Sequence, residues 1–184
     1  MLRTQFVLAV FLAAALASAQ TPGIDPVLLA KANAGDASAQ AQVADDYAAG
    51  AGVPRDLKQA AEWYRKAAEQ GLAEAQVHLA DLYRDGRGVP RDMAQAAALY
   101  RKAAEQGNTA AQGTLGVLYS LGQGVPRDDV EAYCWFKLAA AVKGPNQDRY
   151  EANRQAVAAK ITADEQAQAE ERVAKWQSEH SQRK

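Results

Sequence analysis

Three stretches of this chain set two glycines beside an arginine: GAGVPRD from Gly50, GRGVPRD from Gly86 and GQGVPRD from Gly122. Glycines that let backbone amides converge next to a cation are the makings of a phosphate cradle. Such a cradle follows a strand and opens a helix, and no strand pattern precedes any of the three loops. The loops are therefore expected to be turns, with Arg55, Arg91 and Arg127 solvated or paired with neighbouring aspartates. The carboxylate pairs Asp45-Asp46 and Asp128-Asp129 could in principle share acid–base work. Asp128 is better placed as a helix N-cap and Asp45 on a solvated face. A metal would need ligands at fixed spacing, and His78, His180 and Cys134 do not supply it. Cys134 as a nucleophile lacks a histidine pattern nearby. An exposed His78 could instead sense pH, since histidine protonates near about 6.5. With no Gly-x-Ser-x-Gly and no His-Glu-x-x-His motif, neither catalysis nor a cofactor is expected.

The elements that carry these residues repeat. Gly35, Gly71 and Gly107 stand 36 apart, as do Pro54, Pro90 and Pro126. The same register holds for Gln40, Gln76 and Gln112, for Tyr47, Tyr83 and Tyr119, and for Tyr64, Tyr100 and Phe136. The string YRKAAEQG occurs whole at Tyr64 and again at Tyr100. This is a tandem array of three units, 35–70, 71–106 and 107–143. Each unit holds two helical patterns. In the first, Ala75, Leu79, Leu82 and Tyr83 share a face. In the second, Met93, Ala96, Ala97, Tyr100 and Ala104 do so, with Gln95, Arg101 and Lys102 pointing outward. Between them, the first glycine ends helix A in the left-handed conformation and Pro90 holds Val89 extended. Asp92 then caps helix B. Gly71 and Gly107 end the B helices.

The pattern A-x-x-A-Q-x-x-L-x-x-x-Y, then G-x-G-V-P-x-D, then a second helix, resembles the Sel-one-like repeat (SLR), a relative of the tetratricopeptide repeat. The resemblance covers Gly35 to about Val142. It implies an all-α fold, an α/α superhelical solenoid of three 36-residue helix-turn-helix repeats with helical caps, whose A helices line the concave side. It also implies protein or peptide binding rather than one shared chemistry. Some relatives carry paired cysteines in each repeat and have been linked to penicillin binding; this chain has a single cysteine, so that likeness does not transfer. Asp46 departs from the pattern, standing where the other units have Leu82 and Leu118.

Solenoids need capped ends. Before the first unit, Asp25 and Pro26 open a lone B-type helix within 20–34, with Ala32 in register with Ala68 and Ala104. After the third, 144–184 reads as a helical hairpin with Thr162 and Glu165 as a capping box. Tyr150, Val157, Ile161, Ala163, Val173 and Trp176 are its sealing residues, with Cys134 half-buried beneath. The first 19 residues have the form of a cleaved signal peptide: Arg3, an apolar run from Phe6 to Ala17, then Ala17-Ser18-Ala19. The run is shorter than the roughly 20 residues a membrane span needs. A periplasmic location is therefore expected, with no stable membrane span. The near balance of 21 basic and 22 acidic residues gives no footprint for nucleic acid.

Where the units differ, the sequence points to a specialised surface. One stripe beside the apolar face of helix A reads Ser38, Gln42, Asp45, Ala49 in unit one and Glu74, His78, Asp81, Asp85 in unit two. In unit three it becomes Ala110, Thr114, Val117, Leu121. A groove acidic in its middle and apolar at one end would take a peptide with a basic and a hydrophobic part; equally, exposed positions vary freely without function. Off the packing face, the stripe should be replaceable without loss of stability, and Arg65, Lys66, Arg101 and Lys102 on the B helices should be neutral to binding. The expected role is that of a monomeric scaffold or adaptor in a bacterial cell envelope. The alternatives are a periplasmic hydrolase of cell-wall or β-lactam-like substrates, and envelope assembly by self-association.

Overall fold

A computed structural model of the protein describes residues 23–181. The expected signal peptide, residues 1–19, lies outside the described residues, whose secondary structure is helical with no strand. The lone cap helix α1 is Pro26–Asn33. Three antiparallel pairs follow: α2 (Ala37–Ala49) with α3 (Leu57–Glu69), α4 (Ala73–Asp85) with α5 (Met93–Glu105), and α6 (Thr109–Leu121) with α7 (Asp129–Ala140). The tail forms α8 (Gln147–Ala158) and α9 (Ala163–Ser181). Among the described residues no helix is long and apolar enough to cross a membrane.

Each helix begins and ends where backbone chemistry demands it. Asp56, Asp92 and Asp128 accept the first amides of α3, α5 and α7 at 2.9–3.1 Å, which satisfies donors that have no intrahelical partner. Gly50, Gly86 and Gly122 end the A helices in the left-handed conformation, their N–H groups donating to Asp46, Leu82 and Leu118 carbonyls. Arg55 and Arg91 do more than face solvent: each Nε donates to a carbonyl in the last turn of its A helix, Ala48 at 3.0 Å and Arg84 at 3.1 Å. Only Arg127 pairs with an aspartate, Asp129, at 2.7 Å.

The core is alanine-rich, so neighbouring helices approach closely and a few aromatics fill the remaining space. Ala60, Ala67, Ala75, Ala80, Ala96 and Ala103 are fully buried, with Tyr64 and Tyr100 between units. Among the described residues, the buried side chains of polar type are Gln40, Gln76 and Gln112, at 5%, 3% and 2% exposure. Each Nε2 donates back to the carbonyl of an alanine in the last turn of the preceding B helix: Ala32, Ala68 and Ala104, at 3.0–3.2 Å. The Ala32 contact confirms that α1 takes the place of a B helix. Asp46, in a leucine position, is half-buried, and burial followed by the charge of Asp45 pushes its carboxyl above the usual range.

Unit three is shaped to receive the cap. Gly113 and Gly116 replace Val77 and Ala80 within helix A; a Cβ at Gly113 would stand 2.1 Å from the Tyr150 ring, and one at Gly116 2.8 Å from Phe136. Tyr133 replaces Ala97, is wholly buried, and bonds Arg154 of α8 and Glu170 of α9 at 2.9 and 2.7 Å. Arg154 in turn holds Glu151 at 2.6 Å and its carboxyl down to about 2. Thr162 and Glu165 form the expected capping box. Tyr150, Val157 and Val173 are buried as expected, whereas Ala163 is exposed, and Ala169, one and a half turns on, makes the contact instead.

The second loop glycine is the tighter constraint. Gly86 and Gly88 both have positive φ, +66° and +73°. A Cβ on Gly86 would meet the Arg91 side chain at 3.1 Å, while one on Gly88 would stand 2.2 Å from the Leu57 carbonyl oxygen of the preceding unit. Backbone cannot step aside as a side chain can. Gly88→Ala is expected to lower stability by about 2 kcal/mol or more and Gly86→Ala by about 1 kcal/mol, with Arg87→Ala near neutral; urea unfolding of the three variants gives the order.

Candidate functional site

The stripe positions lie on the outward sides of α2, α4 and α6. Gln42, Asp45, Glu74, His78 and Asp85 are exposed, and Asp81, Thr114 and Val117 are half-buried. Leu121, in the last turn of α6, is 60% exposed, one of few large apolar side chains so open. Val117, one turn earlier, rests on the core cluster of units two and three.

The structure joins these residues through tyrosines that the stripe does not contain. In units one and two a buried tyrosine of helix B sends its hydroxyl to the stripe aspartate of helix A: Tyr64 to Asp45, and Tyr100 to Asp81 at 2.5 Å. Burial first, then the aspartate partner, raises both phenols above their ordinary range. Asp45 is thus a hydrogen-bond acceptor for the core rather than only a solvated carboxylate. His78 stacks on Tyr64 with ring centroids 5.1 Å apart. Asp45, Tyr64 and His78 therefore form one cluster across the boundary between units one and two.

The expected acidic middle is compensated. Arg84 of α4 reaches Asp81 at 2.7 Å, Asp85 at 2.8 Å and the Tyr100 hydroxyl at 2.9 Å. Arg87 adds a longer contact to Asp85, 3.3 Å. The hydrogen bond from Arg84 is the main reason the Asp85 carboxyl lies below its usual range, and the same bond raises the Arg84 guanidinium. Unit two thus presents a fixed acid–base–acid cluster instead of a bare negative patch. Asp45 and Glu74 make no ion pair among the described residues, so the acidic end shifts toward unit one. Asp81 is also part of the packing between helices, and its replacement is not silent for stability.

Two of the B-helix basic residues, expected to point outward, reach the neighbouring unit. Arg65 donates to the Tyr83 hydroxyl at 3.2 Å, and the Arg101 guanidinium lies over the Tyr119 ring at 5.4 Å. Each bridges one unit to the next; Lys66 and Lys102 remain exposed. Cys134 is buried rather than half-buried, its Sγ 3.7 Å from the Ala169 carbonyl, and burial pushes the thiol up to about 11. A thiol so placed is a packing group, because the reactive thiolate is disfavoured. Among the described residues no group of three His, Cys, Asp or Glu side chains is placed to hold a metal ion.

The tyrosine–aspartate pairs carried a signal within the repeats. Unit three has Val117 where the others have aspartate and Phe136 where they have tyrosine, so donor and acceptor disappear together. Arg84 gave no such signal, since Ala48 and Ser120 occupy its register. If the pair acts as a unit, Tyr100→Phe should cost about 1 kcal/mol by leaving Asp81 short of a donor. Adding Asp81→Val, which reproduces unit three, should recover most of that loss. Urea denaturation of the two single variants and the double variant closes the cycle; strictly additive losses would show the two residues to be independent.

In comparisons with known proteins, the family described as Sel1 repeat matches residues 37–72, 73–108 and 109–141. A solved Sel1 repeat protein from Oxalobacter formigenes is 37% identical with a TM-score of 0.62, over 66% of this chain and 49% of its own. The solved c5321, a protective antigen present in uropathogenic Escherichia coli strains and displaying an SLR fold, is 38% identical with a TM-score of 0.70. That likeness covers 81% of this chain and 31% of c5321. The chain thus spans about half of one and under a third of the other. The comparison with curated proteins gives no match.

Proposed function

Because the chain belongs to the Sel1 repeat family, whose members are typically protein-interaction scaffolds, we propose that it is an exported adaptor of a bacterial cell envelope. It holds a peptide or protein segment along the exposed faces of α2, α4 and α6. The observation that carries this is the change of chemistry along one register position: Asp45, then the Arg84-compensated Asp81, then Val117 with the open Leu121 beyond it. A surface leucine at the end of such a stripe offers an apolar point of contact that a partner can cover. Asp45 and Glu74 at the other end favour a basic residue on the partner, chiefly by steering its approach. The preferred ligand is an extended peptide with a hydrophobic residue at one end and a basic one at the other.

The segment before Gln20 and the protective-antigen character of c5321 support the exported setting. Intact mass of the protein recovered from its native host is expected to show a chain beginning at Gln20; recovery of the unprocessed chain with membranes overturns cleavage after Ala19 and release into the periplasm.

For binding, a random peptide library selected on the purified protein should return sequences with one apolar and one basic residue at fixed separation. Leu121→Ala should weaken a selected peptide about tenfold through faster dissociation, with little change in melting temperature. Asp45→Asn should reduce the salt dependence of association. Lys66→Ala and Lys102→Ala should leave affinity unchanged. Loss of binding in these two, with Leu121→Ala silent, places the surface on the B helices. Turnover of muropeptides or β-lactams by the purified protein would replace the adaptor reading with an enzymatic one.

A further inference from the structure

The buried amides that join the units leave one acceptor open. Gln40, Gln76 and Gln112 are each more than nine-tenths buried, and each gives its Nε2 to a carbonyl of the preceding B helix. That bond fixes which end of the amide is nitrogen, so its oxygen is left to accept. In units one and two it does: Gln70 donates to the Gln40 oxygen at 2.8 Å and Gln106 to the Gln76 oxygen at 2.9 Å. In unit three the residue in that register is Val142. Its backbone keeps the place, its N–H donating to the Ala139 carbonyl at 3.4 Å as that of Gln106 donates to Ala103 at 3.2 Å. Only the side-chain donor is gone, and the Gln112 oxygen meets no other among the described residues.

In place of the donor there is room. Gln112 and Val142 line one cleft of about 640 Å³, between the turn that ends α5, the end of α7 and the last turns of α9. Among the described residues the sealed side-chain atoms without a partner are Asp129 Oδ1 and Trp135 Nε1. The Gln112 oxygen is not sealed with them and opens onto the cleft that Gln112 lines. Leu138, Val142 and Trp176 give that cleft an apolar wall, Val142 at 48% exposure. His180 closes one side: its ring stacks on Trp176 with centroids 3.7 Å apart, and its Nε2 lies 2.7 Å from the Glu105 carbonyl. Glu105 is exposed at the rim and makes no ion pair among the described residues. An acceptor at the floor and a carboxylate at the rim disfavour an anionic ligand and suit a neutral N–H.

We propose that this cleft binds a glutamine side chain of a peptide partner, whose amide N–H donates to the Gln112 oxygen as Gln70 and Gln106 do to its counterparts. The two internal copies define the fit: a primary carboxamide nitrogen 2.8–2.9 Å from the oxygen. Gln70 and Gln106 are themselves exposed, so the incoming amide needs no further partner from the protein. A lysine fits less well, because an ammonium carries more donors than one buried acceptor can meet and loses more hydration. Apolar residues on either side of the glutamine cover Val142 and Trp176. The site stands apart from the stripe on α2, α4 and α6, and its test does not depend on binding there.

NMR titration of the full chain with acetyl-Leu-Gln-Leu methylamide is the direct measurement. The Gln112 side-chain amide and Trp176 indole signals are expected to shift together. The Kd should be about tenfold lower than for the same peptide dimethylated on the glutamine side-chain nitrogen, which keeps the carbonyl but has no N–H to give. Counterparts with glutamate or lysine at that position should bind at least as weakly as the dimethylated one. Val142→Gln rebuilds the internal link and should abolish the shifts, whereas Val142→Leu, which changes bulk without supplying a donor, should bind as the parent does. Absence of the paired shifts in the parent chain overturns the proposal. So do equal affinities for the glutamine and dimethylated peptides, tighter binding of the lysine peptide, undiminished binding by Val142→Gln, or equal loss in the two variants.

Discussion

A helix that ends inside a packed structure leaves carbonyls without donors, and each B helix of this solenoid ends against the next unit. The molecule meets that constraint with one side chain, the buried glutamine of the following A helix. Its amide donates to the stranded carbonyl of Ala32, Ala68 or Ala104. In two units its oxygen then accepts from the glutamine that follows the next B helix, Gln70 to Gln40 at 2.8 Å and Gln106 to Gln76 at 2.9 Å. Because an unmet carbonyl in a dry interior is costly, this chain of amides sets how far one unit stands from the next. The alanines around it permit the short distance, and the aromatics fill what remains.

The third unit shows what happens when the array must stop. Val142 stands in the register of Gln70 and Gln106, so no glutamine there reaches Gln112, and the Ala140 carbonyl, counterpart of Ala104, accepts from Gln147 of α8 at 3.1 Å instead of from a further A helix. Gly113 opens a notch for Tyr150, and Tyr133 enters where the other two units carry alanine. The same unit exchanges its tyrosine–aspartate pair for phenylalanine and valine, so its inner packing becomes apolar and its outer stripe does too. Closing the end and creating an apolar patch at Leu121 are thus achieved on the same short stretch of helix.

The period, the turns, the capping aspartates and the two terminal caps were all legible in the sequence. They rest on backbone demands that few residue types can meet: glycine at positive φ, proline where a helix cannot continue, aspartate over free amides. The candidate surface was legible only in its positions. Its charge was misjudged because Arg84 has no counterpart in the other units, and because the hydroxyl held by Asp81 comes from a residue 19 positions further on in another helix. The co-loss of Asp and Tyr in unit three was the available clue. For His180, no repeat copy exists to compare, and a partner 75 residues away is invisible to any local pattern.

The two kinds of connection in the array differ in how they meet their neighbours. The loop from A to B is pressed against the preceding unit, with Gly52 over Gly23, Gly88 over Leu57 and Gly124 over Met93. The turn from B to A, at Gly35, Gly71 and Gly107, has nothing within 4 Å of where a side chain would begin. One junction is keyed and the other is a seam. A gene that grows or shrinks by whole units can be cut at the seams without disturbing any key, since every A–B loop travels with the helices it joins and lands on an equivalent neighbour. Length is thereby free to evolve in whole units, while the pitch of the superhelix is not.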